Sequence, residues 1–157
     1  MNLFMEIIVQ LVFSYLSTVG FAIIINVPRK GLNCAGLAGM IGWIVYWVTW
    51  QSGVSIMLAN LLGAFCIGIA GIMFARWKKM PVIVFNIPGL VPLVPGATAY
   101  EAVRALVMNH QSEGIELMVR VIMVAGSIAV GFMFAQLITE LTRPRWGSWA
   151  HLGRKIK

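Results

Sequence analysis

The stretch from Asn86 to Arg104, NIPGLVPLVPGATAYEAVR, holds the densest set of groups able to do chemistry. Prolines at 81, 88, 92 and 95 remove backbone donors and forbid one continuous helix through this region. From Gly96 onward the breakers stop and helix formers follow, so a helix is expected to open at Pro95-Gly96. Its first free N–H groups come from about Gly96, Ala97 and Thr98 and carry roughly half a positive charge at the helix start. A carboxylate suits such donors. Thr98 and Tyr100 add hydroxyls, and Asn86 and the carbonyls released by the prolines add acceptors. A kinked helix whose kink is buried in packing is the alternative. Glu101 and Arg104 are three apart and share a helical face. Two readings stay open for them: an ion pair near a membrane interface, or solute contact or proton coupling.

Nothing else in the chain points to catalysis. There is no nucleophile–base–orienter set, no Gly-rich phosphate loop and no metal-ligand cluster, so neither an enzyme nor a cofactor or metal site is expected. His110 sits in a polar link and reads as solvated. Cys34 and Cys66 lie in apolar runs and read as free thiols acting as small apolar residues.

The elements that position these groups follow from composition. Of 157 residues 60% are apolar and 11% charged, whereas soluble domains average about 25% charged. So much apolar surface cannot be hidden in one small core, so the lipid bilayer is the expected solvent. The net charge of +7 does not point to nucleic acid, because the basic residues sit at the ends of apolar runs, as topology signals do. An all-α integral membrane protein is expected, with one transmembrane domain over 1–142. Its spans are about 3–27, 32–50, 54–75, 82–108 and 117–141, the fourth broken by Pro and Gly. A basic tail, 143–157, follows. Met1-Asn2-Leu3-Phe4 has no basic n-region, so a cleaved signal peptide is not expected.

The charges set an orientation. Arg29/Lys30, Arg76/Lys78/Lys79 and the tail should share the cytoplasmic side of the cell membrane. With five crossings they do, and the links 51–53 and 109–116 fall opposite. The N-terminus is then outside and the C-terminus cytoplasmic. Trp43, Trp47 and Trp50 form a stripe read as an interfacial belt, and Trp146 and Trp149 as a tail anchor. Asn26 and Asn60 are expected to make interhelical hydrogen bonds. Small residues repeat at four in Ala35/Gly39, Ala38/Gly42, Ala64/Gly68, Gly71/Ala75 and Ser127/Gly131/Ala135. Such faces let helices approach closely, within the chain or toward another subunit, a homo-oligomer included.

Gly20-Phe21-Ala22 through Asn26-Val27-Pro28, a Gly-rich second span, and Pro88-Gly89-x-x-Pro92-x-x-Pro95-Gly96-x-x-Ala99-Tyr100 resemble the threonine/serine exporter family. The likeness covers about residues 3 to 142 and is nearest to the small split-gene, YjjB-like subunit. It implies similarity to the C-terminal half of fused exporters and a larger YjjP-like membrane subunit as partner. It also implies export of threonine and serine, or of succinate-like dicarboxylates for the split pair. The family motif falls on Pro88, Gly89, Pro92, Pro95, Gly96 and Tyr100; Glu101 and Arg104 match no part of it. With Asn86 and Thr98 these make the expected solute site. Two five-span halves in tandem would form an inverted pair with a midplane site. The expected function is thus a subunit of a secondary exporter of small carboxylate-bearing metabolites. The alternative is a non-transporting scaffold that stabilises a partner.

Overall fold

The computed structural model describes residues 3–141. The tail 143–157, with its basic cluster and Trp146 and Trp149, lies outside the described residues. The described chain is all helical: α1 Leu3–Ile24, α2 Arg29–Gln51, α3 Ile56–Lys78, α4 Ile83–Leu90, a 3₁₀ turn Val91–Leu93, α5 Gly96–Val107 and α6 Gln111–Leu141. Four helices (α1, α2, α3 and α6) are long and apolar enough to cross a bilayer, and α4 and α5 form a pair bent by 56°. At about 1.5 Å per residue, α2 and α3 reach roughly 34 Å, enough for a hydrocarbon core of about 30 Å.

Three helix ends close alike. Asn26, Lys79 and Asn109 take left-handed backbone at φ 61°, 53° and 64°. The next N–H of each reaches back five residues: Val27 to the Ala22 carbonyl, Met80 to Ala75 and His110 to Ala105. This satisfies carbonyls that a helix end leaves open. Asn26 therefore terminates α1 and is exposed, rather than bonding across helices. Asn60 also stays within its own helix, donating from Nδ2 to the Ile56 carbonyl at 2.7 Å.

Contacts fix the directions. Gly36 of α2 faces Tyr15 and Val19 of α1, while Trp43 reaches Gln10, so the two helices are antiparallel. Gly42 of α2 meets Ile67 and Gly63 of α3, again antiparallel. Gly131 of α6 meets Leu61 and Ala64 of α3, whereas Gly68 meets Ala135, so α3 and α6 run parallel. The segment between them must therefore carry the chain back across the protein. A re-entrant loop returning to its starting side would make them antiparallel. The bent pair α4–α5 is thus one discontinuous span, the fourth of five.

The prolines unwind less than their number suggests. Pro88 is fully buried inside α4, and Val91, ahead of Pro92, keeps helical angles of φ −49° and ψ −44°. The break is confined to Val94, extended at φ −65° and ψ 127°, and Pro95. The polar link ahead of the last span is also largely helix, since α6 starts at Gln111 with buried Gly114 packed on Leu106 of α5.

The small-residue faces are used inside the chain. A Cβ at Gly131 would meet the Leu61 carbonyl, Ala64 and the Phe65 nitrogen, whereas Gly126 has open space. Gly131→Ala should therefore lower stability by about 1–3 kcal/mol through overpacking, and Gly126→Ala should leave it nearly unchanged. Thermal unfolding of both variants in detergent checks this.

Candidate functional site

The break at 94–95 opens onto a cleft of about 170 Å³ between α2, α3, α6 and the start of α5. It lies toward the end of the bundle where α3 begins, opposite the end carrying Arg29, Lys30, Arg76 and Lys79. Pro92, Leu93, Val94, Pro95 and Thr98 form one wall. Trp43 and Tyr46 form another, with ring centroids 5.2 Å apart, and Trp43 Nε1 donates to Gln10 Oε1 of α1 at 2.7 Å. Asn60 is 3% exposed; with its amide nitrogen held by Ile56, its Oδ1 makes no hydrogen bond among the described residues and is left to the cleft.

The remaining wall brings a group that the reading of the sequence missed. Arg120 lines the cleft with Val121 and Val124. It stands three residues into the apolar stretch that begins at Leu117, and among the described residues it has no ion-pair partner. With Gly131 level with Leu61 and Ala64, Arg120 stands near the level of the 51–53 link, and its side chain is exposed at the mouth of the cleft. The signal available was this single guanidinium inside a run otherwise free of charge until Glu140.

At the helix start, the Gly96 N–H donates to the Val94 carbonyl at 2.8 Å and the Ala99 N–H to Pro95 at 2.9 Å. The Ala97 and Thr98 N–H groups have no backbone acceptor among the described residues. The open donors are therefore two, one residue later than expected. No side chain caps this end.

The other expected residues are dispersed. Pro88 and Gly89 are buried, Gly89 against Ile67 and Ala38, and pack the span rather than line the cleft. Gly96 is exposed with open space beside it, and Tyr100 is 69% exposed. Glu101 and Arg104 line a separate groove with His110 and Glu113, and make no ion pair there; His110 and Glu113 approach to 3.8 Å. Asn86 lines a different cavity at the basic end. The tryptophan stripe divides: Trp43 borders the cleft, Trp47 is buried at 6% exposure, and Trp50 alone is exposed as a belt residue would be.

The profile of the threonine/serine exporter family (ThrE) matches residues 10–138, which takes in all three walls of the cleft and the break. The chain belongs to the threonine/serine exporter family. No solved structure matches it. A transporter-type role and a multi-pass membrane location follow from the family and from the spans of this ThrE-family chain. The cleft brings together a cation, Arg120, the Asn60 carboxamide and Thr98 with its open N–H, and Ala97 carries the second open N–H next to Thr98 in the chain.

Proposed function

We propose that this ThrE-family chain is one subunit of a secondary exporter of small carboxylate-bearing solutes, threonine or serine or a succinate-like dicarboxylate, working with a larger YjjP-like membrane subunit. The observation that carries the proposal is Arg120 and the broken start of α5 on one cleft. A solute carboxylate there accepts from the guanidinium and from the Ala97 and Thr98 N–H groups. The helix start adds positive potential, and charge-assisted bonds of this kind are the strong ones. Pro92, Pro95 and Thr98 belong to the site, with Asn60 and Tyr46 facing the rest of the solute.

Beneath the cleft, Ile67, Leu93, Val124 and Ile128 pack as a buried apolar layer. A single chain thus offers a site with an apolar floor. The larger partner supplies the second half of an inverted pair. Reconstitution into liposomes tests this: threonine or succinate should move when both subunits are present and not with this chain alone. Transport by this chain as the only protein would refute the two-subunit reading.

The basic end is assigned to the cytoplasm. In a Cys34→Ala/Cys66→Ala background, cysteines at Ser52 and Ser112, both exposed, should react with an impermeant thiol reagent in whole cells. A cysteine at exposed Lys79 should be protected. The opposite pattern would reverse the orientation.

A further inference from the structure

On the far side of the apolar layer, α3, α4 and α6 border a second, half-open cavity of about 680 Å³ at the basic end. Its size is that of a small-molecule site. Its polar groups are Arg76 from α3, Asn86 from α4, and Gln136, Thr139 and Glu140 from α6. Asn86 is the anomaly. Its Oδ1 is buried and accepts no hydrogen bond, which costs free energy unless a donor arrives. The space for this carboxamide exists because residue 71 is glycine; a Cβ there would collide with Asn86 Oδ1. The fold thus keeps a polar acceptor at an apolar helix crossing where Leu would pack without penalty.

We propose that this cavity is a second solute site, which takes the zwitterionic head of an amino acid before it passes the apolar layer. The Asn86 carboxamide, whose Oδ1 lies closed against Gly71, turns toward the cavity to accept from the solute ammonium beside the Glu140 carboxylate. The Arg76 guanidinium donates to the solute carboxylate. The cleft also holds one acceptor, Asn60 Oδ1, but among the described residues no carboxylate lines it, so a solute ammonium meets an anionic partner at the second cavity and not at the cleft. A dicarboxylate would set its second anion against Glu140 and leave Asn86 Oδ1 without a donor. Phe132 borders the cavity and Leu93 the cleft, and the layer of Ile67, Leu93 and Ile128 lies between them. The two sites are therefore stations on opposite sides of one seal. The inference rests on the exporter reading and adds to it a loading site at the basic end.

The test uses the full chain with its partner in membranes, in the Cys34→Ala/Cys66→Ala background, with Gln136→Cys as reporter. Threonine should slow modification of this cysteine, and succinate should not. Asn86→Leu should raise the threonine concentration needed for half protection about tenfold, as loss of one hydrogen bond to a charged group does. Arg120→Gln should leave protection in place while export is lost, so failure of the cleft reading and failure of this one are distinguishable. No protection by threonine, equal protection by succinate, or protection unchanged by Asn86→Leu would each overturn the proposal.

Discussion

Arg120→Gln should abolish solute export while the chain still inserts and assembles. A charge at the centre of a membrane helix costs roughly 2.5–3.5 kcal/mol on insertion scales, and Arg120, exposed and three residues into its apolar run, bears a smaller part of that cost. The guanidinium has no ion-pair partner among the described residues to offset that cost, and it lines the cleft. Its removal should therefore leave stability unchanged or raised. Gln keeps hydrogen-bonding capacity and loses the charge. Hydrogen bonds to charged groups contribute about 1.5–3 kcal/mol each, so affinity should fall by at least about tenfold. Arg120→Lys should fall between, because an ammonium cannot offer the planar fork that a carboxylate matches. Arg104→Gln is the contrast: its groove is separate from the cleft, and export should persist. The measurement is initial-rate transport in proteoliposomes holding both subunits, at matched protein levels. Normal export by Arg120→Gln with loss in Arg104→Gln would move the carboxylate site to the groove of Glu101 and Arg104.

How much of this was legible in the sequence depends on whether a feature is local. Apolar run length and basic run ends are local, and they gave the spans and the break near Pro95 without knowledge of neighbours. The parallel course of α3 and α6 agrees with the five-crossing count that the charges required. Position 120 was legible in type, since a lone Arg in an apolar run is a signal by itself, but averaging over the long run 117–141 hides it. Its companions were not legible. Trp43 on α2, Asn60 on α3 and Thr98 on α5 meet only through helix packing, and the Gln10 partner of Trp43 lies 33 residues away in the chain. Helical periodicity put Trp43, Trp47 and Trp50 on one stripe, yet α1 covers part of it, so only Trp50 keeps the exposure of a belt residue. Composition likewise cannot say which small-residue face is already filled; Gly39 is closed by Thr18 and Gly68 by Ala135. Pro88 and Gly89 could not be placed from the sequence either: Pro88 is buried within α4, and Gly89 packs on Ile67 and Ala38, positions that only helix packing determines.

Pro95→Ala should also remove export, by straightening the fourth span. Of the prolines there, only Pro95 is preceded by extended backbone: Val94 has ψ 127°, whereas Val91 ahead of Pro92 is helical. A proline disfavours helical angles in the residue before it, so Pro95 holds Val94 out of the helix and sets the 56° bend. Alanine lifts that restriction and is the best helix former. The Ala97 and Thr98 N–H groups would then find the Leu93 and Val94 carbonyls four residues back, and the open donors that face a carboxylate would vanish. Export should drop at least about tenfold, since two hydrogen bonds to a charged group are lost together. Thermal stability should hold or rise, because two unmet donors gain partners. Spin labels at exposed Ile83 and Val107 should move apart as the bend opens. Pro92→Ala should do much less, since its neighbour is already helical. Should the labels separate while export continues at the normal rate, the broken helix start would be a packing feature, and the guanidinium of Arg120 would have to hold the carboxylate unaided.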